Sequence, residues 1–205
     1  MIISLTGFMG CGKSSIGKRL SELLCCRFMD LDEIIEEQTC RRITEIFASD
    51  GEERFRRLEK EALESVLSGS GNGGPSSVSS VLALGGGTVM TPGCWKMVHE
   101  GTCCVYLRTS VETLVERLTG EDSGRPLLKD PDSVMPGKSH VMSSEVETSA
   151  LKNRILELMK LRKTTYEQVA HITIDTDGKS IREIAEEIIS GLRGIAPVTS
   201  PKQYT

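Results

Sequence analysis

The sequence predicts a parallel α/β sheet with helices on both faces, and three observations carry that reading. Short apolar runs suited to strands recur at "MIISLT", "RFMD", "SSVLAL", "CCVYL" and "HITID". Helical patterns separate them: Ile16, Leu20, Leu23 and Leu24 share one face, and Ile181, Ile184, Ala185, Ile188 and Ile189 share another. A glycine-rich stretch, "GFMGCGKSS", follows the first strand directly. Ligands of such sheets gather at the carboxyl ends of the strands, near a topological switch point.

The chain has 205 residues, enough for one good core with a small mobile subdomain. A formal charge of -4 lacks the basic footprint of a nucleic-acid binder. The seven cysteines form no CxxC pair, and Cys25-Cys26 and Cys103-Cys104 are adjacent, which suits neither a metal knuckle nor a disulfide framework. Reduced, mostly buried thiols in a cytoplasmic protein are expected instead. The start carries no basic region followed by a long apolar one, and no run reaches membrane-spanning length. No nucleic-acid partner and no membrane are expected.

Two segments break the strand–helix rhythm. "SGSGNGGPSS" reads as a flexible connector. The polar stretch 120–148, with Pro126, Pro131 and Pro136, reads as a lid or as disorder. A single domain over 1–192 with a frayed tail at 193–205 is expected.

Gly7-x-x-x-x-Gly12-Lys13-Ser14 fits the phosphate-binding loop at every fixed position. Glycines let backbone N–H groups converge on phosphate oxygens, so Gly10, Cys11, Gly12, Lys13, Ser14 and Ser15 are candidate nucleotide contacts. Lys13 would reach the β- and γ-phosphates, Ser14 would place its hydroxyl on Mg2+, and the following helix adds its positive end. The alternative is a plain strand-to-helix turn. Cys11, inside this anion nest, is either a perturbed thiol or an inert one.

Phosphoryl transfer also needs an acid near the metal and a group to take the acceptor's proton. "FMDLD" ends in Asp30 and Asp32, which strand alternation would place on one side. Asp30 is expected to support the metal and Asp32 to meet the acceptor hydroxyl; Asp32 could instead cap the helix "EIIEEQ".

In "GEERFRRLEKEALESVL", Phe55, Leu58, Ala62 and Val66 mark the apolar stripe. Arg57 points away from it, and Arg54 lines up with Glu61 and Ser65. Arg56 lies beside packed surface with Glu59 one turn on, either as a functional cation or within a solvated salt-bridge helix. In "SALKNRILELMKLRKTTY", Arg162 shares the inward face of Leu151, Ile155, Leu158 and Tyr166. A buried cation there must meet a partner, a ligand or a wet cleft, and a carboxylate clamp competes with a structural ion pair. Gly85, Gly86 and Gly87 after the strand "LAL" permit close approach of a small ligand, or simply turn the chain. Arg125 in "SGRPLL" sits at the root of the long polar loop, where it either swings onto phosphates or serves no ligand.

Taken together, "GFMGCGKSSIGKRL", "FMDLDEIIE", "IFASDGEERFRRLE", "LALGGG", "GRPLL" and "LRKTTY" resemble the shikimate kinase family over nearly the whole chain. The resemblance implies a nucleoside-monophosphate-kinase-type P-loop fold: a five-stranded parallel sheet flanked by helices, a substrate-binding helical region at about 31–67, and a lid. It implies ATP-dependent phosphorylation of the 3-hydroxyl of shikimate with Mg2+, in aromatic amino-acid biosynthesis. By position, the loop would bind ATP and Mg2+, Asp30 would support the metal, and Asp32 would be the base. Arg56 and Arg162 would hold the shikimate carboxylate, and the backbone at Gly86 would touch a ring hydroxyl. Arg125 would contact ATP phosphates, and Arg117 would pack on adenine. A monomer is expected. Two departures from the family pattern stand out: the segment between Arg125 and Arg162 is long, and the Gly/Ser connector looks inserted. Rival readings are a kinase for gluconate or a nucleoside monophosphate, and a nucleotide-dependent regulatory module without acceptor chemistry.

Overall fold

A computed structural model describes residues 1–69, 78–119 and 144–194. The five apolar runs form five strands: β1 Ile2–Thr6, β2 Arg27–Asp30, β3 Ser80–Ala83, β4 Cys103–Arg108 and β5 Ile172–Asp175. All neighbours pair in parallel, in the order β2-β3-β1-β4-β5. Parallel neighbours require crossovers, and these carry α1 Lys13–Leu23, α2 Leu31–Thr39, α3 Ile43–Ser68, α4 Cys94–Gly101, α5 Val111–Leu118 and α6 Ser144–Val169; α7 Ile181–Leu192 follows β5. A short 3-10 turn, Thr88–Met90, precedes α4.

Strand alternation divides the core into two layers. Ile3, Leu5, Val81, Val105 and Leu107 face Ile16, Leu20, Leu114, Ile155, Ile184 and Ile188. Ile2, Leu82, Cys104 and Tyr106 face Leu31, Ile35, Phe55, Leu63, Val98 and Tyr166. Burial of these side chains from helices on both sides is the main term holding the sheet.

Several expectations shift. Leu23 is 38 % exposed rather than inward, because the core-facing line of α1 passes through Ile16 and Leu20 to Leu24 at its carboxyl cap. Ile181 is exposed because it is the first residue of α7, at the mouth of a cavity. α3 is two helical pieces joined at Gly51, whose φ of 78° and ψ of 175° are not helical. α6 begins at Ser144, so the expected lid boundary at 148 falls inside a helix. The connector 70–77, the stretch 120–143 with Arg125, and the tail from 195 lie outside the described residues.

All seven cysteines are free thiols; Cys11, Cys94, Cys103 and Cys104 are buried. Burial pushes Cys94 up to about 11, keeping it protonated and inert. Among the described residues no helix is long and apolar enough to cross a membrane.

Candidate active site

β1 ends at Thr6, and the chain turns through Gly7 (φ 145°), Gly10 (φ 80°) and Gly12 (φ 97°) before α1. These values favour glycine, and at Gly7 a side chain would also collide with Leu107 O, 2.7 Å from the Cβ position. Gly12 starts α1 without a side-chain cap, so the first amides of that helix face the cleft without competition from one. Lys13 Nζ rests 3.0 Å from both Gly7 O and Phe8 O, across the loop. Cys11 is fully buried in the core, its amide donates to Phe8 O, and its Sγ accepts from Lys13 Nζ at 3.8 Å.

β2 ends at Asp30, and Asp32 lies in the first turn of α2. Alternation along a strand therefore does not align the two acids; the strand end and the helix start face the same cleft. The cap considered for Asp32 is made by Asp30, whose Oδ1 accepts from Asp32 N at 3.1 Å. The second Asp30 oxygen accepts from Ser14 Oγ at 2.7 Å. Asp32 Oδ1 is sealed from solvent without a hydrogen-bond partner. Burial first, then the charges of Asp30 and Glu59, push the Asp32 carboxyl up to about 6, against the pull of Lys13.

Ser14 and Asp30 offer a hydroxyl and a carboxylate beside the loop, hard oxygen donors suited to Mg2+. No group of three or more His, Cys, Asp or Glu side chains among the described residues could hold a metal alone. That fits Mg2+, which keeps most of its waters and takes one or two protein oxygens together with phosphates.

Across the cleft, α3 presents Arg56. Its Nη1 donates to Glu59 Oε2 at 2.8 Å, and its Nη2 and Nε meet Glu52 Oε1 at 3.0 and 3.2 Å. Glu59 is fully buried, whereas Glu52 is exposed. The turn Gly85–Gly87 closes on these groups. A Cβ at Gly85 would lie 2.9 Å from both Asp32 Oδ1 and Glu59 Oε1, and one at Gly87 would lie 2.7 Å from Arg56 Nη1 and Nη2.

α6 brings Arg162 to the same turn. It is 8 % exposed, its Nη1 donates to Gly86 O at 3.4 Å, and its guanidinium stands 5.9 Å over the Phe8 ring. Among the described residues no carboxylate lies within ion-pair distance of it, so the structural ion pair considered for it does not form there. Tyr166 donates to the same carbonyl.

One cavity of about 900 Å³ joins Gly10 through Ser15, Asp30, Asp32, Arg56, Glu59, Gly86 and Arg117. Arg162 does not line it; it touches the wall through Gly86 O. Arg117 reaches Gly10 O at 3.4 Å, at the loop's outer side. Arg125 lies outside the described residues.

Sequence reasoning missed Phe47 and Phe55 as cavity residues; their rings lie 4.7 Å apart at one end of it. It also missed Lys179, which lines the cavity from the turn after β5. A search for carboxylates at strand ends passes over Lys179, a cation four residues beyond the end of β5.

A phosphate loop facing an acid of raised proton affinity across one cleft defines a P-loop small-molecule kinase. The family model described as shikimate kinase matches residues 9–193. A shikimate kinase from Thermus thermophilus is 38 % identical over 93 % of this chain and 89 % of its own length, and one from Mycobacterium marinum is 36 % identical over 96 % and 92 %. The structure of a shikimate kinase from Acinetobacter baumannii in complex with shikimate aligns with TM-score 0.76 and 31 % identity, covering 94 % of this chain and 93 % of that one. A gluconokinase from Sinorhizobium meliloti, 18 % identical with TM-score 0.52, shares the fold. The chain belongs to the shikimate kinase family.

Proposed function

We propose that this chain transfers the γ-phosphoryl group of ATP to the 3-hydroxyl of shikimate, giving shikimate 3-phosphate and ADP, a step in aromatic amino-acid biosynthesis. The observation that carries it is the buried, unpartnered Asp32 Oδ1, set in one cavity with the phosphate loop and Arg56.

Asp32 accepts the hydroxyl proton as the oxygen attacks phosphorus; the bond to the β-γ bridging oxygen breaks and ADP leaves with its electrons. A carboxyl near 6 holds a proton more readily than an ordinary one, yet is ionised at neutral pH. Lys13 leaves the loop carbonyls for the phosphates, which offer it a full charge instead of two dipoles. Ser14 and Asp30 would hold Mg2+, which would supply charge neutralisation when bound. Arg117 packs on the adenine, and Arg125 contacts phosphates as the family resemblance implies.

Arg56 takes the acceptor carboxylate by exchanging Glu52 for it, and Arg162, which stands behind the cavity wall on Gly86 O, turns from that carbonyl to complete the clamp. Loss of an exposed partner such as Glu52 costs little. The protein acts as a monomer in the cytoplasm.

ADP release with and without shikimate, alongside gluconate and nucleoside monophosphates, tests the reading. Shikimate-dependent ADP with a phosphate ester at the 3-hydroxyl is expected. Turnover with gluconate or a nucleotide and none with shikimate overturns it.

A further inference from the structure

The Glu59 carboxylate is fully buried, and three donors surround it: Arg56 Nη1 at 2.8 Å and Thr91 Oγ1 at 3.0 Å on Oε2, and Thr88 Oγ1 at 2.6 Å on Oε1. A buried carboxylate persists as an anion only where such donors replace water. Arg56 alone satisfies one of the two oxygens. The hydroxyls come from a different part of the chain, the 3-10 turn and the residue after it, and both are themselves buried.

We propose that Thr88 and Thr91 are positioning residues for the acceptor: they pin both oxygens of Glu59, and Glu59 in turn fixes the Arg56 guanidinium against Gly87. This rests on the reading of Arg56 as the acceptor's carboxylate ligand.

The geometry assigns each hydroxyl a distinct part. Thr91 shares Oε2 with Arg56, so its loss lets the carboxylate rotate away from the guanidinium. Thr88 holds Oε1, which is 2.9 Å from the Cβ position on Gly85, the same distance as Asp32 Oδ1. Without the Thr88 hydroxyl, Oε1 keeps no donor and the carboxylate has reason to turn toward water. Thr88 follows directly on the Gly85–Gly87 turn, so its one hydroxyl proton, given to Glu59 at 2.6 Å, ties α3 to the turn that Arg162 and Tyr166 grip from α6. The Thr88 hydroxyl thus connects the two arginines through the backbone of residues 85–88.

The test is steady-state kinetics on the full chain with Thr88→Val and Thr91→Val, which keep shape and remove the hydroxyl, and Thr88→Ser and Thr91→Ser, which restore it. Each valine variant is expected to raise KM for shikimate roughly tenfold, the scale of one hydrogen bond to a charged group, with KM for ATP within about twofold of wild type. The serine variants are expected to return KM for shikimate to near wild type. In a Glu59→Gln background, Thr91→Val should add little, because both act on one carboxylate. Equal rises in both KM values, no rise for shikimate, or failure of serine to restore it overturns the proposal. Loss of the folded protein in both valine variants assigns the hydroxyls to stability and overturns it too. A wild-type protein without shikimate-dependent turnover removes the function reading beneath it, and that result is read separately from unchanged variants of an active wild type.

Discussion

Arg56 and Arg162 approach neighbouring glycines of one turn from different helices: Arg56 fills the space where a Gly87 side chain would stand, and Arg162 donates to Gly86 O. One cation is held by buried Glu59 and exposed Glu52, the other by a backbone carbonyl without a carboxylate partner among the described residues. Buried cations in that state retain much of their capacity for an anionic ligand.

Arg56→Ala and Arg162→Ala are therefore expected to weaken shikimate binding by about 10- to 100-fold each while sparing ATP. Calorimetric titration with each ligand separates the two. Equal weakening of both would assign these arginines to the framework.

Gly87→Ala tests the close approach directly. Its φ of -115° is open to alanine, but the new methyl would lie 2.7 Å from the Arg56 guanidinium nitrogens. The guanidinium must shift against its buried Glu59 partner, so the fold should survive with a loss of about 1 to 3 kcal/mol. KM for shikimate should rise severalfold; an unchanged KM would show that Arg56 is not needed at that spot.

Asp32→Asn should retain ATP binding and lose about 100- to 10,000-fold in turnover, the range of a missing general base. In the wild type, kcat/KM for shikimate should fall as pH drops through about 6, where the carboxyl takes up its proton.

The same group sets a stability effect of opposite sense. Its folded value, about 6, stands above the ordinary 3.8, so the folded state binds the proton more tightly. The stabilisation is complete below about pH 4 and is lost as pH rises through about 6, amounting to about 3 kcal/mol at most. Thermal melting of ligand-free protein in chelator should show Asp32→Asn gaining on wild type between about pH 4 and 7, with no further change above. A constant difference across that range would mean that the burial of Asp32 is relieved in solution.

Glu52→Gln should lower KM for shikimate by about two- to threefold, because it weakens the exposed carboxylate that occupies Arg56 before the acceptor arrives. A raised KM would make Glu52 an orienting partner instead.

What could be read from the sequence was what short spacing determines. Each strand is a run of four to six residues with at least two apolar side chains, a pattern legible at all five places. Arg56 and Glu59 are one helical turn apart, so their pairing was visible as well. The phosphate loop is a local pattern throughout. Asp30 and Asp32 both line the cavity, but not by strand alternation: the strand stops between them and a helix turn takes its place.

Contacts across long stretches of chain left no such trace. Thr88 and Glu59 are 29 positions apart, and Tyr166 and Gly86 are 80 apart. Phe47 and Phe55 meet only because the chain leaves helical geometry at Gly51, a break that the periodicity of α3 does not announce. Arg162 could be placed on an inward face, but which carbonyl it would meet depends on how α6 docks on the sheet.

The strand order has a consequence for how the enzyme can respond to its ligands. β2, β3 and β1 are immediate neighbours, with Asp30 opposite Ala83 and Ala83 opposite Leu5. The acids, the triple-glycine bend and the triphosphate cradle thus issue from one laminated edge, whose ladder bonds forbid any of the three from sliding alone. Donor and acceptor halves are gauged against each other before either ligand binds, and the break in regular geometry beside them is the bend of α3 at Gly51.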